Sequence, residues 1–279
     1  MINLAKTCCG SGCLALPYAA KEGGLLLNIF GLLGIALWNS WAAKTLCDCL
    51  DLLLAKKTQH QTDSSPPPGT STLGKVTYYA LGTTGIFIMD ALTILLLSGI
   101  IVSYQKAILT FLQDTPFQTG SNVLDALLIG ILLAPLSVVP DMGYLNKTSA
   151  AGLFVLAFAL LVILAYGFYD YERGESITLP WLPSKGLVGV SHWFGCTVFG
   201  FGIVPLTFNF RESMREPKKL SSTVTISLLL VAICYIGISL VGISLYPNVS
   251  SDILSELPRQ GNLPIITRLA MVIVLMVSE

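Results

Sequence analysis

Charge is scarce in this chain. Asp, Glu, Lys and Arg make up only 11% of its 279 residues, and 16 basic residues are balanced by 16 acidic ones. A soluble globular domain carries roughly a quarter charged residues, so a water-soluble fold of this length is excluded. With no basic excess, nothing points to a nucleic-acid partner. Histidine is rarer still, with two in the whole chain. There is no H-E-x-x-H, no cysteine–histidine set at ligand spacing and no paired aspartate motif inside an apolar run, which leaves no basis for a metal site or an intramembrane enzyme. The seven cysteines are Cys8, Cys9 and Cys13 in one cluster, the pair Cys47 and Cys49, and two within later apolar runs. None falls in a loop on the face opposite the basic residues, so no disulfide is implied. Palmitoylation of Cys47 or Cys49 is the one modification their placement allows.

What the chain has in abundance is apolar sequence: 53% hydrophobic residues and a mean hydropathy of +0.74. A bilayer core of about 30 Å requires about 20 apolar residues per helix. Read that way, spans cover about residues 2–20, 24–46, 82–111, 123–139, 150–169, 188–210 and 223–245, and an eighth starts near Ile265 and meets Glu279. The chain is therefore expected to be an all-α polytopic membrane protein forming a single domain over residues 1–279. Gly23-Gly24 reads as the tight turn between the first two spans. Residues 55–73, rich in Ser, Pro and Gly, cannot bury a core and read as a flexible cytoplasmic loop.

Basic residues set the orientation, because cytoplasmic loops are enriched in Lys and Arg. With the N-terminus inside, Lys6, Lys56, Lys57, Lys75, Lys147, Arg211, Arg215, Lys218 and Lys219 lie inside, against Lys21, Arg173, Lys185 and Arg259 outside. The sequons at Asn146 and Asn248 then face opposite sides, and only Asn248 is open to glycosylation.

Two spans are broken. Gly10, Gly12 and Pro17 interrupt the first, and Gly200, Gly202 and Pro205 interrupt the sixth. An exposed N–H or C=O costs several kcal/mol in hydrocarbon, so a break survives only where protein or a watery cavity receives it. A kink that merely packs against a neighbour is an equally good reading of the first break taken alone. Recurrence five spans apart is the spacing of inverted repeats whose half-helix ends hold a substrate at the midplane. On that reading the freed backbone around Gly10, Ser11, Gly12 and Cys13, with that of Phe201, Gly202 and Ile203, binds substrate. Glycine is then demanded at 10, 12 and 202, where a side chain would rebuild helix or fill the ligand's space.

These residues also resemble a known family. Asn3-Leu4, Lys6-Thr7, Gly10-Ser11-Gly12-Cys13-Leu14-Ala15-Leu16-Pro17-Tyr18-Ala19 and Gly23-Gly24 look like the first-span signature of the amino acid/auxin permease family. Phe194-Gly195, Phe199 to Pro205 and Arg211 to Pro217 resemble its broken sixth span and the stretch after it. Residues 244–258 are similar to its loop after span seven. The resemblance implies the inverted-repeat (APC/LeuT-like) transporter fold, here truncated to about eight of eleven spans. It also implies alternating-access transport of an amino acid, proton-coupled and without a bound cofactor, with vacuolar-type members closest. The partners would be the amino acid and the lipid bilayer, and nothing in the sequence gives an oligomeric state.

The sequence departs from the family at both ends, since about eight residues precede Gly10 and the last spans are missing, so the chain reads as a fragment not expected to transport alone. A non-transporting receptor on the same fold, or a non-functional fragment, is the alternative function. Asp90, inside span three, is a candidate for proton coupling or a residue that snorkels. Asp125 and Asp141 read as helix-end residues, and His192 as an interfacial residue that could titrate with luminal pH.

Overall fold

The computed structural model describes residues 8, 11–59, 66–112, 115, 119–136, 142–171, 180–183, 185–214, 216–249, 251–258 and 261–278. Among them the secondary structure is helical throughout. A 3₁₀ turn, Ser11–Ala15, leads into α1 (Leu16–Gln59), followed by α2 (Thr72–Leu112), α3 (Asn122–Leu136), α4 (Met142–Tyr171) and α5 (Leu187–Gly200). A second 3₁₀ turn, Val204–Leu206, precedes α6 (Thr207–Ser213), α7 (Leu220–Leu245), a 3₁₀ turn at Ile253–Glu256 and α8 (Asn262–Ser278). Five helical segments among the described residues are long and apolar enough to cross a membrane: 12–55, 72–112, 152–169, 187–213 and 220–245. α8 is apolar but shorter.

Two of these segments hide an elbow. α1 is 44 residues long, with one non-helical residue, Gly24, at φ 76° and ψ 161°. This backbone region belongs almost solely to glycine. The expected Gly23-Gly24 turn is thus carried by Gly24 alone. Its partner Gly23 does something else: a Cβ there would lie 2.7 Å from the Trp193 ring, and one at Gly31 only 2.3 Å from it. Trp193 of α5 therefore fills the inside of the elbow, and the missing side chains let it in. The break also frees main-chain donors at the start of the following helix. Leu25 N–H donates to Pro180 O (3.0 Å) and Leu26 N–H to Trp181 O (3.2 Å), so the segment preceding α5 satisfies them.

α2 breaks at Gly82 (φ 69°, ψ −155°). The apolar span expected from residue 82 is accordingly preceded by a separate helix, beginning at Thr72, whose hydroxyl donates to Glu212 on α6 (2.7 Å). Helix also continues through Gln59, beyond the expected end of span two, and so takes in the first residues of the 55–73 loop.

Directions follow from cross-helix bonds. Asn28 on α1 meets Ser239 on α7, and Ser40 meets Thr225, so these helices run antiparallel. Small residues line their contact, with Ala36 and Ala43 facing the side of α7 that buries Ala232 and Ser239. Close backbone approach between small residues is how helices gain packing energy where lipid removes the hydrophobic drive. Lys185 pairs with Glu22, and Arg211 reaches Cys47 O, so α5 and α6 run parallel to the long arm of α1. This is the relative order required if 2–20, 24–46, 188–210 and 223–245 are spans one, two, six and seven.

Candidate functional site

Both interruptions appear as breaks in helix, and they touch. α5 ends at Gly200 because the chain turns over Phe201: Phe201 N–H donates to Val198 O (3.1 Å) and Ile203 N–H to Phe201 O (2.7 Å). Pro205 enters the first turn of the next 3₁₀ helix, where its missing N–H costs nothing. Across from it, the turn Ser11–Ala15 is wound as 3₁₀ before α1 proper begins. A Cβ added at Gly12 would lie 3.2 Å from Phe199 Cδ1 and 3.9 Å from Gly200 Cα. Gly12 thus sits directly against the end of α5.

The predicted site residues sort into three groups. Gly12 faces the second break, and Cys13, Phe201 and Ile203 have buried side chains, so any role for them at the surface of the cleft belongs to their backbone. Gly202 is exposed, and a Cβ there would meet only Phe199 O at 3.7 Å, so nothing around it demands glycine. Gly10 lies outside the described residues, as does Asp141. Asp90 is not brought to the breaks. It is exposed on α2, fourteen residues from Tyr104, or about 21 Å along the helix, and Tyr104 is the α2 residue whose ring packs edge-on to Phe199 (6.1 Å). Asp125 is buried and accepts from the Thr119 N–H (3.2 Å) and hydroxyl (2.6 Å), a local helix-end arrangement as expected.

A polar cluster closes the far end of the same helix pair; sequence reasoning named His192 in it, and Lys185 and Lys21 only as basic residues of the outer face. Glu22, with a side chain 4% exposed, accepts from Lys185 Nζ at 2.7 Å and lies 3.3 Å from His192 Nδ1. Tyr18 Oη stands 3.5 Å from that same nitrogen. Gly189 lets the helices this close, because a Cβ there would strike Glu22 O at 2.4 Å. Glu22 is covered by these immediate neighbours at the end of the bundle rather than sunk in its middle. Its hydrogen bond raises Lys185 above the ordinary lysine range, so the ammonium stays charged throughout the physiological range. Lys21 turns the other way and donates to Val249 O (2.9 Å), tying the loop after α7 to the same end. The signal available in the sequence was the adjacency of Lys21-Glu22 to the glycine elbow. It does not say which charge faces inward.

Deeper in, Asn28 is fully buried and satisfied from both sides: Trp193 Nε1 donates to its Oδ1 (3.2 Å), and its Nδ2 donates to Ser239 Oγ (2.6 Å). One side chain thereby joins α1, α5 and α7 beside the elbow. At the opposite end of the bundle Arg211 donates to Asp51 and to Cys47 O. No group of three or more His, Cys, Asp or Glu capable of holding a metal occurs among the described residues.

Comparison with known proteins supplies what geometry cannot. The family described as "Transmembrane amino acid transporter protein" matches residues 1–279. The chain is 27% identical over 261 residues to amino acid transporter AVT1B of Arabidopsis thaliana, covering 88% of this chain and 44% of the relative. It is 26% identical over 274 residues to vacuolar amino acid transporter 4 of Saccharomyces cerevisiae, covering 92% of this chain and 35% of that protein. A third relative, amino acid transporter AVT1H of Arabidopsis thaliana, is 23% identical over 267 residues, 93% of this chain and 58% of its own length. The chain thus spans less than two thirds of each of these relatives.

Proposed function

Because the chain belongs to the transmembrane amino acid transporter family, we propose that it is built to carry an amino acid across a membrane by alternating access, through the cleft where its two broken helices meet. The observation that carries this reading is the contact of Gly12 with the end of α5. A helix N-terminus presents partial positive charge and free N–H groups; a C-terminus presents partial negative charge and free carbonyls. The Ser11–Ala15 turn starts at the first break and α5 ends at the second, and Gly12 beside Gly200 brings an N-terminal and a carbonyl end together. The two ends are complementary to a zwitterion, with carboxylate at the backbone of Ser11, Gly12 and Cys13 and ammonium at the backbone that ends in Gly200 to Ile203. No charged side chain is needed, so neutral, acidic and basic amino acids would share this anchor and be sorted by what surrounds the side chain.

The inverted-repeat fold fits the same reading. So do coupling to protons and residence in a vacuolar or other internal membrane with the N-terminus in the cytoplasm. Support for the membrane comes from relatives named as vacuolar transporters, and for orientation from the basic residues. Asp90 lies far from the breaks, whereas the Glu22 carboxylate stands 3.3 Å from His192 Nδ1 at the end of the helix pair that carries them.

The test is a pair of substitutions in a chain extended to the full length of its relatives. Gly12→Leu is expected to abolish amino acid binding and uptake while leaving surface abundance within about twofold. Gly34→Leu, on the unbroken arm of α1 where an added Cβ meets nothing within 4 Å, is expected to leave both intact. Equal impairment by the two, at matched expression, would show that Gly12 is a packing residue and that the cleft lies elsewhere.

A further inference from the structure

One side chain reaches main-chain carbonyls beside both breaks. Tyr235 lies in the middle of α7 and is fully buried. Its hydroxyl is within hydrogen-bond reach of Cys8 O and of Gly200 O, the latter at 3.2 Å. Each carbonyl belongs to the last described helical residue before its break: Cys8 before the 3₁₀ turn at Ser11, Gly200 at the end of α5. The ring is held independently of the hydroxyl. It packs edge-on against Phe201 at 5.3 Å between centroids. Glycine at 200 makes room for it, since a Cβ there would stand 2.9 Å from Tyr235 Cε2. α7 is otherwise apolar along this stretch, so a polar tip aimed at two main-chain oxygens stands out.

A phenol has one proton. It donates to one of the two carbonyls at a time, and a carbonyl oxygen, with two lone pairs, can accept from it and still accept from something else. Building on the proposed cleft, we infer that Tyr235 is a positioning residue for the transported amino acid. Its hydroxyl donates to one of the two carbonyls and stands against the other, and so sets the separation of the backbone at 11–13 from that at 201–203 and the direction in which Gly200 O meets the substrate ammonium. Tyr235 touches no substrate in this arrangement. It acts through Gly200 and Cys8, and a ring lacking the hydroxyl loses the hydrogen bond that ties α7 to the backbone at the breaks.

Tyr235→Phe isolates the hydroxyl, because ring packing against Phe201 and the fit over Gly200 are kept. A chain extended to the full length of its relatives is reconstituted in proteoliposomes and each proteinogenic L-amino acid is screened as a radiolabelled probe; the one taken up best by wild type is carried forward. Loss of one buried hydrogen bond corresponds to about a tenfold change in an equilibrium constant. Tyr235→Phe is expected to raise the KM for that amino acid by about tenfold, with Vmax per inserted molecule within about twofold of wild type. Ser239→Ala, which removes a buried hydroxyl of the same helix that serves Asn28 instead, is expected to lower thermal stability and leave KM unchanged. A merely structural Tyr235 would behave like Ser239, losing abundance or stability with KM unmoved, and that result overturns the inference. Absence of uptake by wild type for every amino acid would instead strike at the proposed function itself, so the two failures are distinguishable.

Discussion

Asn28 is the residue on which the elbow of this bundle turns. Its amide is an acceptor for Trp193 and a donor to Ser239, each on a different helix, with no water to replace either. Interhelical hydrogen bonds in membranes average well under 1 kcal/mol, but stranding the buried Trp193 N–H adds its desolvation cost, while Ser239 keeps its bond to Ile236 O. Asn28→Ala is expected to destabilise the protein by about 1–3 kcal/mol, seen as a lowered midpoint in thermal unfolding of the detergent-solubilised chain. Asn39→Ala is the comparison, because Asn39 Nδ2 bonds only the Ile35 carbonyl of its own helix. That change should stay within about 0.5 kcal/mol. Similar losses in both would mean that Asn28 is worth no more than a local helix bond.

Among the elements, the two glycine elbows have the same backbone and different surroundings, which separates strain from packing. Gly24 and Gly82 both hold positive φ with extended ψ, a conformation costing other residues on the order of 1–3 kcal/mol. At Gly82 an added Cβ meets nothing within 4 Å; at Gly24 it would stand 2.6 Å from the main-chain carbon of Leu182. Backbone cannot yield as a side chain can, and Leu182 belongs to the segment whose carbonyls satisfy Leu25 and Leu26. Gly82→Ala should therefore cost only the strain and still yield a monodisperse protein in fluorescence-detected size-exclusion chromatography. Gly24→Ala should lose most of the folded peak. If the two variants elute alike, the docking of residues 180–183 over the elbow contributes little to holding the bundle together.

For the molecule as a whole, the question is which end faces which compartment. The described basic residues divide along the bundle axis: Lys21 and Lys185 sit at the end that carries Val249, and Arg211 at the end that carries Asp51. Asn248 is exposed at the first end. Asn146 lies on α4 twenty-one residues before Gly167, whose neighbours are Leu245 and Tyr246 at that same first end. At 1.5 Å per residue this puts Asn146 about 31 Å away, a bilayer's thickness. At most one of the two sequons can then receive a glycan. In microsomes, Asn248→Gln is expected to remove the single glycan and Asn146→Gln to leave it. The reverse pattern would turn the bundle over in the membrane.

Composition and periodicity decided on their own that the chain is helical and multi-pass, because nothing but internally bonded helix can carry this much apolar sequence through hydrocarbon. They also located the breaks at Gly12 and Gly200, because glycine and proline act on the backbone of their own segment and need no partner to do so. The turn at Gly23-Gly24, carried by Gly24, was legible for the same reason. What lay beyond the sequence was every relation between segments. It did not show that Gly23 and Gly31 are spaces for one tryptophan, that Glu22 faces inward while Lys21 faces the loop, that Asp90 is far from the cleft, or that Gly202 has room for a side chain. Tyr235, one aromatic residue in an apolar run, carried no sequence signal at all. Its place between two carbonyls is set by the antiparallel register of α7 on α1, which brings together Cys8, Gly200 and Tyr235 from distant parts of the chain. Such contacts depend on helix rotation and register, and a hydrophobic pattern nearly uniform around each helix leaves both open until the helices pack.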